Sequence, residues 1–280
     1  MKTLIQKVLV EENHSFACRT YRTPNFETNW HRHEEVELIV ITEGYGTVMI
    51  GEYVGEYKSG DVYFIAANLP HWFKKNHHKI TGSAVVLQFR KEILGYDLLQ
   101  TPEMRNINAL LQKDEGIALD KKLQSETGQL LKSLEFSENF NRMLLLFTIL
   151  NRISTSKEFR VLTQNFSSNN ITINPAIEKI IDYSFKYYLE PVKLRDVATL
   201  TKMSIPTFCR FFKKNIKKTY FEFLQDLRIN HACKLLKNTD KPILEICYES
   251  GYNSWAHFSK QFKQVKKMTP SSYRKKFSEN

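Results

Sequence analysis

Two segments near the C-terminus carry the same pattern, and this repeat constrains the fold more than any other feature. The matched pairs that lie 50 residues apart are Phe208 and Phe258, Phe212 and Phe262, Lys213 and Lys263, and Thr219 and Thr269. Before the turn the offset is 49, from Val197 to Ile246 and from Ala198 to Cys247. Each copy predicts a short apolar helix, a tight turn and a second helix with a basic outer face, which is a helix-turn-helix. Two such units can occupy two successive major-groove segments of DNA.

The helices of this C-terminal half follow from capping residues and apolar spacing. Asn174 is a predicted N-cap before Pro175, and Ser204 is the predicted N-cap of the second helix in the first unit. The predicted helices cover residues 175–189, 193–201, 204–215, 219–236, 243–250 and 253–266, with a short closing helix from Thr269 onward. The long helix 219–236 would hold the two units at a fixed separation.

The excess positive charge of the chain is confined to this half. The formal net charge is +11, and residues 175–280 hold 21 Lys and Arg against 10 Asp and Glu, so residues 1–174 are neutral. A neutral domain joined to a basic one predicts a sensor or scaffold joined to a polyanion-binding module. The four scattered cysteines form no C-x-x-C pair, and the N-terminus lacks the apolar core of a signal peptide. We therefore predict a cytoplasmic protein with reduced thiols that does not enter a membrane.

The N-terminal half predicts short strands followed by helices. Strands are expected over residues 14–21, 36–42, 45–50, 62–66 and 83–89, separated by glycine-containing turns. Helices are expected over 102–111, 120–134 and 137–153, and the last is apolar enough either to bury against the strands or to form a homodimer seam. The predicted class is α+β: a small β-barrel or jelly roll with helices over residues 1–156, a linker over 157–174 and an all-α domain over 175–280.

A group of buried-type polar residues lies among the predicted strands: His31, His33, Glu37 and His71. The spacing of the first three places them on one face of a strand, with His71 on a later strand. Imidazoles with a carboxylate suit a divalent transition metal. The alternative is that these residues line an effector pocket, or cap the barrel mouth, without a metal. A sugar or another small polar ligand could then stack on one nearby ring, although packing is the commoner role of such rings: Tyr21, Phe26, Trp30, Tyr63 and Trp72. We favour this second interpretation and predict no cofactor.

The outward faces of the two recognition helices supply the candidate DNA contacts. Arg210 is the predicted base reader because its planar fork suits guanine, and Lys213 and Lys214 are predicted phosphate contacts. The complete predicted set is Ser204, Pro206, Thr207, Cys209, Arg210, Lys213, Lys214, Asn253, Ser254, Trp255, His257, Lys260 and Lys263. Asn253 and Ser254 have a second interpretation as helix caps, and Trp255 as a packing residue. Because Pro206 and Cys209 make no strong base hydrogen bonds, the second unit is expected to read more of the sequence.

These residues resemble those of a known family. The matching positions of the second unit are Ile246, Gly251, Tyr252, Ser254, Phe258, Phe262, Lys263, Thr269, Pro270, Tyr273 and Arg274, and residues 175–280 resemble the DNA-binding domain of AraC/XylS-family transcription regulators. The run His31-x-His33-x-x-x-Glu37 with Gly60, Asp61 and His71 resembles cupin motifs, as in the effector-binding half of that family. Lys217 and Lys267 stand where the family usually has glycine after each recognition helix.

The resemblance implies a DNA-binding transcription regulator controlled by a small-molecule effector in the cupin-like half, and not an enzyme. Its expected partners are double-stranded DNA and an effector, with a sugar as one candidate, and also a second copy of the chain and RNA polymerase. Two alternatives stay open. One is a metal-dependent cupin enzyme with His31, His33, Glu37 and His71 as ligands, and the other is an architectural DNA binder whose N-terminal half only dimerises.

Overall fold

A computed structural model describes residues 8–24, 26, 28, 30–75, 79–163 and 175–278. The chain divides into two compact units, Met1–Ile173 and Asn174–Asn280. The first contains both strands and helices and the second is helical, so the α+β class is confirmed.

Nine strands among the described residues form two antiparallel sheets in the first unit. They are β1 (Ala17–Arg22), β2 (Val36–Glu43), β3 (Tyr45–Ile50), β4 (Tyr53–Lys58), β5 (Val62–Ile65), β6 (His71–Lys75), β7 (Ser83–Phe89), β8 (Gly116–Leu119) and β9 (Phe159–Val161). One sheet has the order β1-β7-β2-β5-β8-β9 and the other β4-β3-β6. Of the two predicted forms, the structure has the jelly roll: two sheets share one core and do not close into a single barrel.

Side chains of β2 alternate between two apolar environments. Ile39 and Ile41 join the core between the sheets, together with Val48 of β3. Leu38 and Val40 point to the other face, where they meet the helices. Because both faces are covered, β2 reads in the sequence as a nearly continuous apolar run.

Among the described residues of the first unit there are also four α-helices and two short 3-10 helices. The α-helices are α1 (Tyr96–Leu99), α2 (Arg105–Leu111), α3 (Lys121–Glu135) and α4 (Asn139–Thr155). Leu146, Ile149 and Leu150 of α4 are fully buried in the core that backs the larger sheet. The first of the two predicted roles for α4, burial against the strands, is therefore confirmed. Its start is left exposed, with Phe140 at 71% and Leu144 at 46% exposure.

Strand β6 was expected only as a later strand that carries His71, and β4, β8 and β9 were not expected from the sequence. The last affects the predicted linker over 157–174, because Phe159–Val161 pairs with β8 as an edge strand of the larger sheet. This part of the segment belongs to the first unit, and the prediction of a linker starting at residue 157 is wrong. Residues 164–174 lie outside the described residues.

The second unit contains seven helices among the described residues. They are α5 (Pro175–Tyr187), α6 (Leu194–Leu200), α7 (Ile205–Ile216), α8 (Tyr220–Asn238), α9 (Ile243–Glu249), α10 (Trp255–Lys266) and α11 (Pro270–Ser278). Each agrees with a predicted helix to within about two residues at its ends, which is the usual uncertainty of a helix boundary. Helices α6 and α7 form the first helix-turn-helix, and α9 and α10 form the second.

The two turns have the same hydrogen bonds, 49 residues apart. The amide of Met203 donates to the carbonyl of Ala198 at 3.1 Å, and the amide of Tyr252 donates to that of Cys247 at 3.3 Å. Between them the backbone is left-handed, at Lys202 with φ 56° and at its counterpart Gly251 with φ 79°. This arrangement satisfies the last carbonyls of the first helix and reverses the chain within a few residues.

Two further sequence predictions concern redox state and membranes. All four cysteines are free thiols, and Cys209 alone among them is exposed. No helix in the described part of the chain has the length and apolar character needed to cross a membrane.

Candidate functional site

Helices α7 and α10 each bury one aromatic edge and expose the opposite face. Phe208 and Phe212 are completely buried on α7, and Phe258 and Phe262 are completely buried on α10. Each pair is held by ring contacts to a tyrosine of a following helix: Phe212 lies 5.3 Å from Tyr220, and Phe262 lies 5.5 Å from Tyr273. The burial fixes which side chains point outward, since the helical repeat is 3.6 residues.

All thirteen predicted DNA contacts are exposed. Arg210 and Lys213 lie on the helix face opposite the buried phenylalanines, and Lys260 and Lys263 occupy the same positions on α10. Exposed Gln264 shares that face and was missed, although its 50-residue offset from Lys214 identifies it. The structure thus gathers the outward residues into two basic faces, one for each recognition helix.

Ser204 and Ser254 have a structural task as N-caps. The hydroxyl of Ser204 accepts from the amide of Thr207 at 3.4 Å, and that of Ser254 accepts from the amide of His257 at 3.5 Å. Each cap satisfies one of the free amides in the first helical turn. Trp255 is 41% exposed while its ring contacts Phe258 at 5.7 Å, so one edge packs and the other faces solvent.

Both recognition helices end on a lysine with a left-handed backbone. Lys217 has φ 60° and Lys267 has φ 59°, and both side chains are exposed. Neither makes a side-chain hydrogen bond or ion pair with any residue that the structure describes. A residue with a Cβ atom is disfavoured in this conformation by about 1–2 kcal/mol.

The buried polar residues of the first unit also come together, but by a different route from the one predicted. Residues His31 and His33 precede β2, and Glu37 lies within it, so the three do not share one strand. Instead, His31 pairs with His71 through two backbone hydrogen bonds of 3.3 and 2.9 Å, which bring that segment to the start of β6. The ligand atoms of the three histidines lie within 4.8 Å of one another.

Two of these imidazoles are oriented by backbone carbonyls. Nδ1 of His33 lies 3.0 Å from the carbonyl of Glu35, and Nδ1 of His71 lies 2.9 Å from that of Leu69. A carbonyl only accepts, so each Nδ1 carries a proton and each Nε2 faces the cluster. Nε2 of His71 is buried without a hydrogen bond among the described residues, 3.5 Å from Glu37 Oε1.

Glu37 lies at the centre of a buried charge cluster. One of its oxygens, Oε2, is 3.0 Å from Nε2 of His33 and 2.8 Å from Nε2 of Gln88, its cross-strand partner on β7. Burial opposes ionisation of Glu37, but the charge of His71 and the hydrogen bond from His33 hold its pKa well below the ordinary value. Burial likewise opposes protonation of His33, but the hydrogen bond and charge of Glu37 raise its pKa.

The donor set suits a transition-metal ion. Such ions bind imidazole and carboxylate groups, and this site has three buried imidazoles and one buried carboxylate. One of the imidazole nitrogens, Nε2 of His71, has no hydrogen bond among the described residues. Carbonyl hydrogen bonds to Nδ1, as at His33 and His71, are typical of histidines that ligate through Nε2. The residues present therefore fit a metal, although no metal was the favoured prediction.

The cavity beside the cluster is small. It measures about 40 Å³ and is lined by Tyr21, Phe26, Thr28, His31, Glu37, Ile39, His71, Phe73, Val86 and Gln88. That is close to the roughly 30 Å³ that one water molecule occupies, and far below the roughly 300 Å³ of the smallest ligand pockets. A sugar does not fit there in this conformation. Trp30 is buried but does not line the cavity. Gln88 lines the cavity and was not predicted, although a glutamine within the apolar strand β7 could have indicated it.

Each of the two units contains a segment that matches a model of a known protein family. A helix-turn-helix domain model matches residues 197–276 and a cupin domain model matches residues 22–87. The lactose operon transcription activator of Staphylococcus xylosus is 25% identical over 98% of this chain and 96% of its own length. The uncharacterised HTH-type transcriptional regulator YdeC of Bacillus subtilis is 23% identical over 88% of this chain and 85% of its own. Among solved structures, ToxT from Vibrio cholerae aligns with 94% of this chain and 98% of its own at 14% identity and a TM-score of 0.38.

Proposed function

We propose that this chain, which belongs to the AraC/XylS family of transcription regulators, reads two successive major-groove segments with α7 and α10 and changes its DNA affinity when the site around His31, His33, Glu37 and His71 is occupied. The observation that carries the DNA-reading part is the pair of equivalent helices, each buried on one edge and basic on the other. The observation that carries the control part is the buried charge cluster beside a cavity of about 40 Å³.

The DNA-reading part has a direct test. Fluorescence anisotropy of the full chain on the DNA upstream of its own gene is compared with a scrambled duplex of the same composition, both at one stated salt concentration. Sequence-specific regulators prefer their site by about 1000-fold or more. Equal affinity for the two duplexes would contradict sequence-specific regulation.

Two variants separate base reading from phosphate binding. Arg210→Ala should lower specificity at one base position by about 1–3 kcal/mol, because a bidentate contact is lost. Lys213→Ala should weaken binding to all sequences alike and reduce the salt slope by about 1, because only a phosphate contact is lost.

We propose a divalent transition-metal ion as the effector. His31, His33, His71 and Glu37 would hold it, and the small cavity leaves room for an ion and a water molecule. The bound ion would place positive charge beside the buried carboxylate of Glu37. Chelator-treated full chain is titrated with Zn²⁺, Mn²⁺, Ni²⁺ or Fe²⁺, measuring metal content and DNA affinity separately.

The matched variants are His71→Gln and His14→Gln. His71→Gln removes one metal-binding imidazole from the cluster. His14 is not part of the cluster, and its Nδ1 lies 3.3 Å from Oε2 of Glu11. His71→Gln should lose stoichiometric metal and the metal effect on DNA affinity, while His14→Gln should keep both. Wild type that takes up no metal would contradict this part and leave DNA reading untouched.

A sugar is the second candidate effector, because relatives are named for the lactose and melibiose operons. The same DNA assay with lactose and melibiose tests it, and a sugar response without a metal response would replace the metal proposal. A metal-dependent enzyme is disfavoured, since the cavity leaves no room for an organic substrate beside an ion. No catalytic role is proposed.

We further propose that the chain forms a homodimer through the exposed start of α4. Phe140 and Leu144 are large apolar side chains that the described residues leave uncovered. Light scattering of wild type against the variant Phe140→Ser with Leu144→Ser tests this, and identical masses would contradict it. Contact with RNA polymerase and a cytoplasmic location stay predictions.

A further inference from the structure

Helix α8 is shared between the cores of the two helix-turn-helix units. Near its start, Phe223 packs against Phe212 of α7, with ring centroids 5.6 Å apart. From Ile229 onward its buried residues, including Ala232, belong to the core of the second unit. Arg228 lies at the point where α8 passes from one core to the other.

Arg228 links three separate parts of the fold. Its Nε donates to the carbonyl of Tyr188 at 2.6 Å and its Nη2 donates to the carbonyl of Glu190 at 2.8 Å. These carbonyls follow the end of α5 and lead into the first helix-turn-helix. The guanidinium carbon also lies 5.7 Å from the ring centre of Tyr252, in the turn of the second.

From that turn the contacts continue into the second recognition helix. The hydroxyl of Tyr252 donates to Oε1 of Gln261 on α10 at 2.8 Å. The preceding residue, Gly251, packs so closely that a Cβ atom would lie 2.8 Å from the carbonyl oxygen of Leu189 and 3.0 Å from Nε of Arg228. Glycine is therefore required for this close approach as well as for its positive φ.

We infer that Arg228 is a positioning residue that sets the orientation of the second recognition helix relative to the first. The inference rests on the proposed reading of two DNA segments. A guanidinium holds two carbonyls and a ring at once because its donors are fixed in one plane, which a lysine ammonium cannot reproduce. If the junction is rigid, the two helices accept only one spacing of their DNA segments.

The experiment measures tolerance to spacing. Full-length wild type first selects duplexes from a random-sequence DNA pool. The selected duplex is then compared with two derivatives, one with a base pair inserted between the segments read by the two units and one with the second segment scrambled. The insertion rotates the second segment by roughly a tenth of a turn. Affinities are measured at one salt concentration.

The insertion should lower the DNA affinity of wild type by about tenfold or more, because α10 no longer meets its DNA segment. For Arg228→Lys, the insertion should lower the DNA affinity by less than about threefold. On the selected duplex without the insertion, this variant should bind about tenfold more weakly than wild type. On the duplex with a scrambled second segment, the two proteins should bind equally, because only one unit is engaged there.

Tyr188→Phe is the matched control. It removes the hydrogen bond of 3.0 Å between the Tyr188 hydroxyl and Nδ1 of His231 at the same junction, yet keeps the backbone carbonyl that Arg228 needs. It should lower the thermal midpoint and retain the full penalty of the insertion. Arg228→Gln, which can still donate to one carbonyl, replaces Arg228→Lys if circular dichroism shows that the latter does not fold.

An unchanged insertion penalty in the Arg228 variant would overturn the inference, as would an equal weakening on all three duplexes, which is the result of a merely structural role. A wild-type chain that selects no sequence would instead overturn the proposed function, and this inference with it.

Discussion

The left-handed lysines at the ends of the recognition helices lead to a prediction in which stability and DNA binding respond differently to the same substitution. Lys217 and Lys267 have φ 60° and 59°, where a Cβ atom is disfavoured. Replacing both with glycine removes the backbone strain and the two charges, whereas replacing both with alanine removes only the charges. The difference between the two double variants therefore isolates the backbone.

The magnitude follows from two opposing terms. Relief of the left-handed conformation is worth about 1–2 kcal/mol per residue. Glycine also makes the unfolded chain more flexible, which costs about 0.4–1 kcal/mol per residue. A net gain of roughly 0.5–1 kcal/mol remains at each position by these figures. The two lysines follow different helices, α7 and α10, so we add the two gains. The double glycine variant should thus exceed the double alanine variant by about 1–2 kcal/mol in free energy of unfolding.

Thermal and urea unfolding of the full chain measure this difference. The lysines lie in the second unit, Asn174–Asn280. For a domain of about 100 residues, a change of 1 kcal/mol in the free energy of unfolding shifts the thermal midpoint by about 4–8 °C. Lys214 supplies the control: it is exposed within α7, so Lys214→Gly should be less stable than Lys214→Ala by about 1 kcal/mol, the opposite sign. Equal stability of the glycine and alanine variants at Lys217 and Lys267 would refute the strain argument.

The same variants test whether these lysines contact DNA. Both double variants lose the same charges, so both should bind DNA equally weakly, and each lost phosphate contact should reduce the salt slope by about 0.9. A glycine variant that is more stable than wild type yet binds DNA less well would explain why lysine occupies a position that favours glycine. Unchanged affinity and salt slope would show that the lysines do not contact phosphates.

Three other predictions concern single positions. Thr219→Ala should destabilise the chain by about 1 kcal/mol in urea unfolding, because the hydroxyl accepts from the amide of Glu222 in a capping box; the exposed variant Ser271→Ala should have no comparable effect. Burial, together with the charge of Lys234, lowers the pKa of His231 in the folded chain. The neutral imidazole therefore contributes stability above the ordinary pKa near 6.5, and this stability is lost as the pH falls through the lower pKa of the folded state. The thermal midpoint of wild type should therefore fall more than that of His231→Gln between pH 7 and pH 5, and parallel curves would contradict this. Arg142→Met should cost about 3 kcal/mol, because buried Arg142 donates to the carbonyls of Phe16 and Leu134, which methionine leaves unpaired; a loss below 1 kcal/mol would contradict that role.

Local chemistry explains where sequence reasoning succeeded. The helices of the second unit could be located because their caps and apolar spacing are short-range features, as with Ser204 before α7 and Ser254 before α10. The repeat also implied equivalent packing, and the buried positions of Phe208 and Phe258 confirm it. In the first unit, by contrast, β8 is only four residues long and lies between helices, so its partner strands rather than its own sequence make it a strand.

By itself the sequence determined the paired helix-turn-helix units, the basic character of their outer faces and the identity of the histidine cluster. The first two depend on residue type and spacing within a few turns of chain, and the cluster was identified from residue types that resemble cupin motifs. Only the tertiary structure decided that His31 reaches the cluster through His71, that Gln88 completes it, and that Arg228 joins the two units. These contacts connect residues that lie 24 to 55 positions apart, where spacing along the chain carries no information about distance in space.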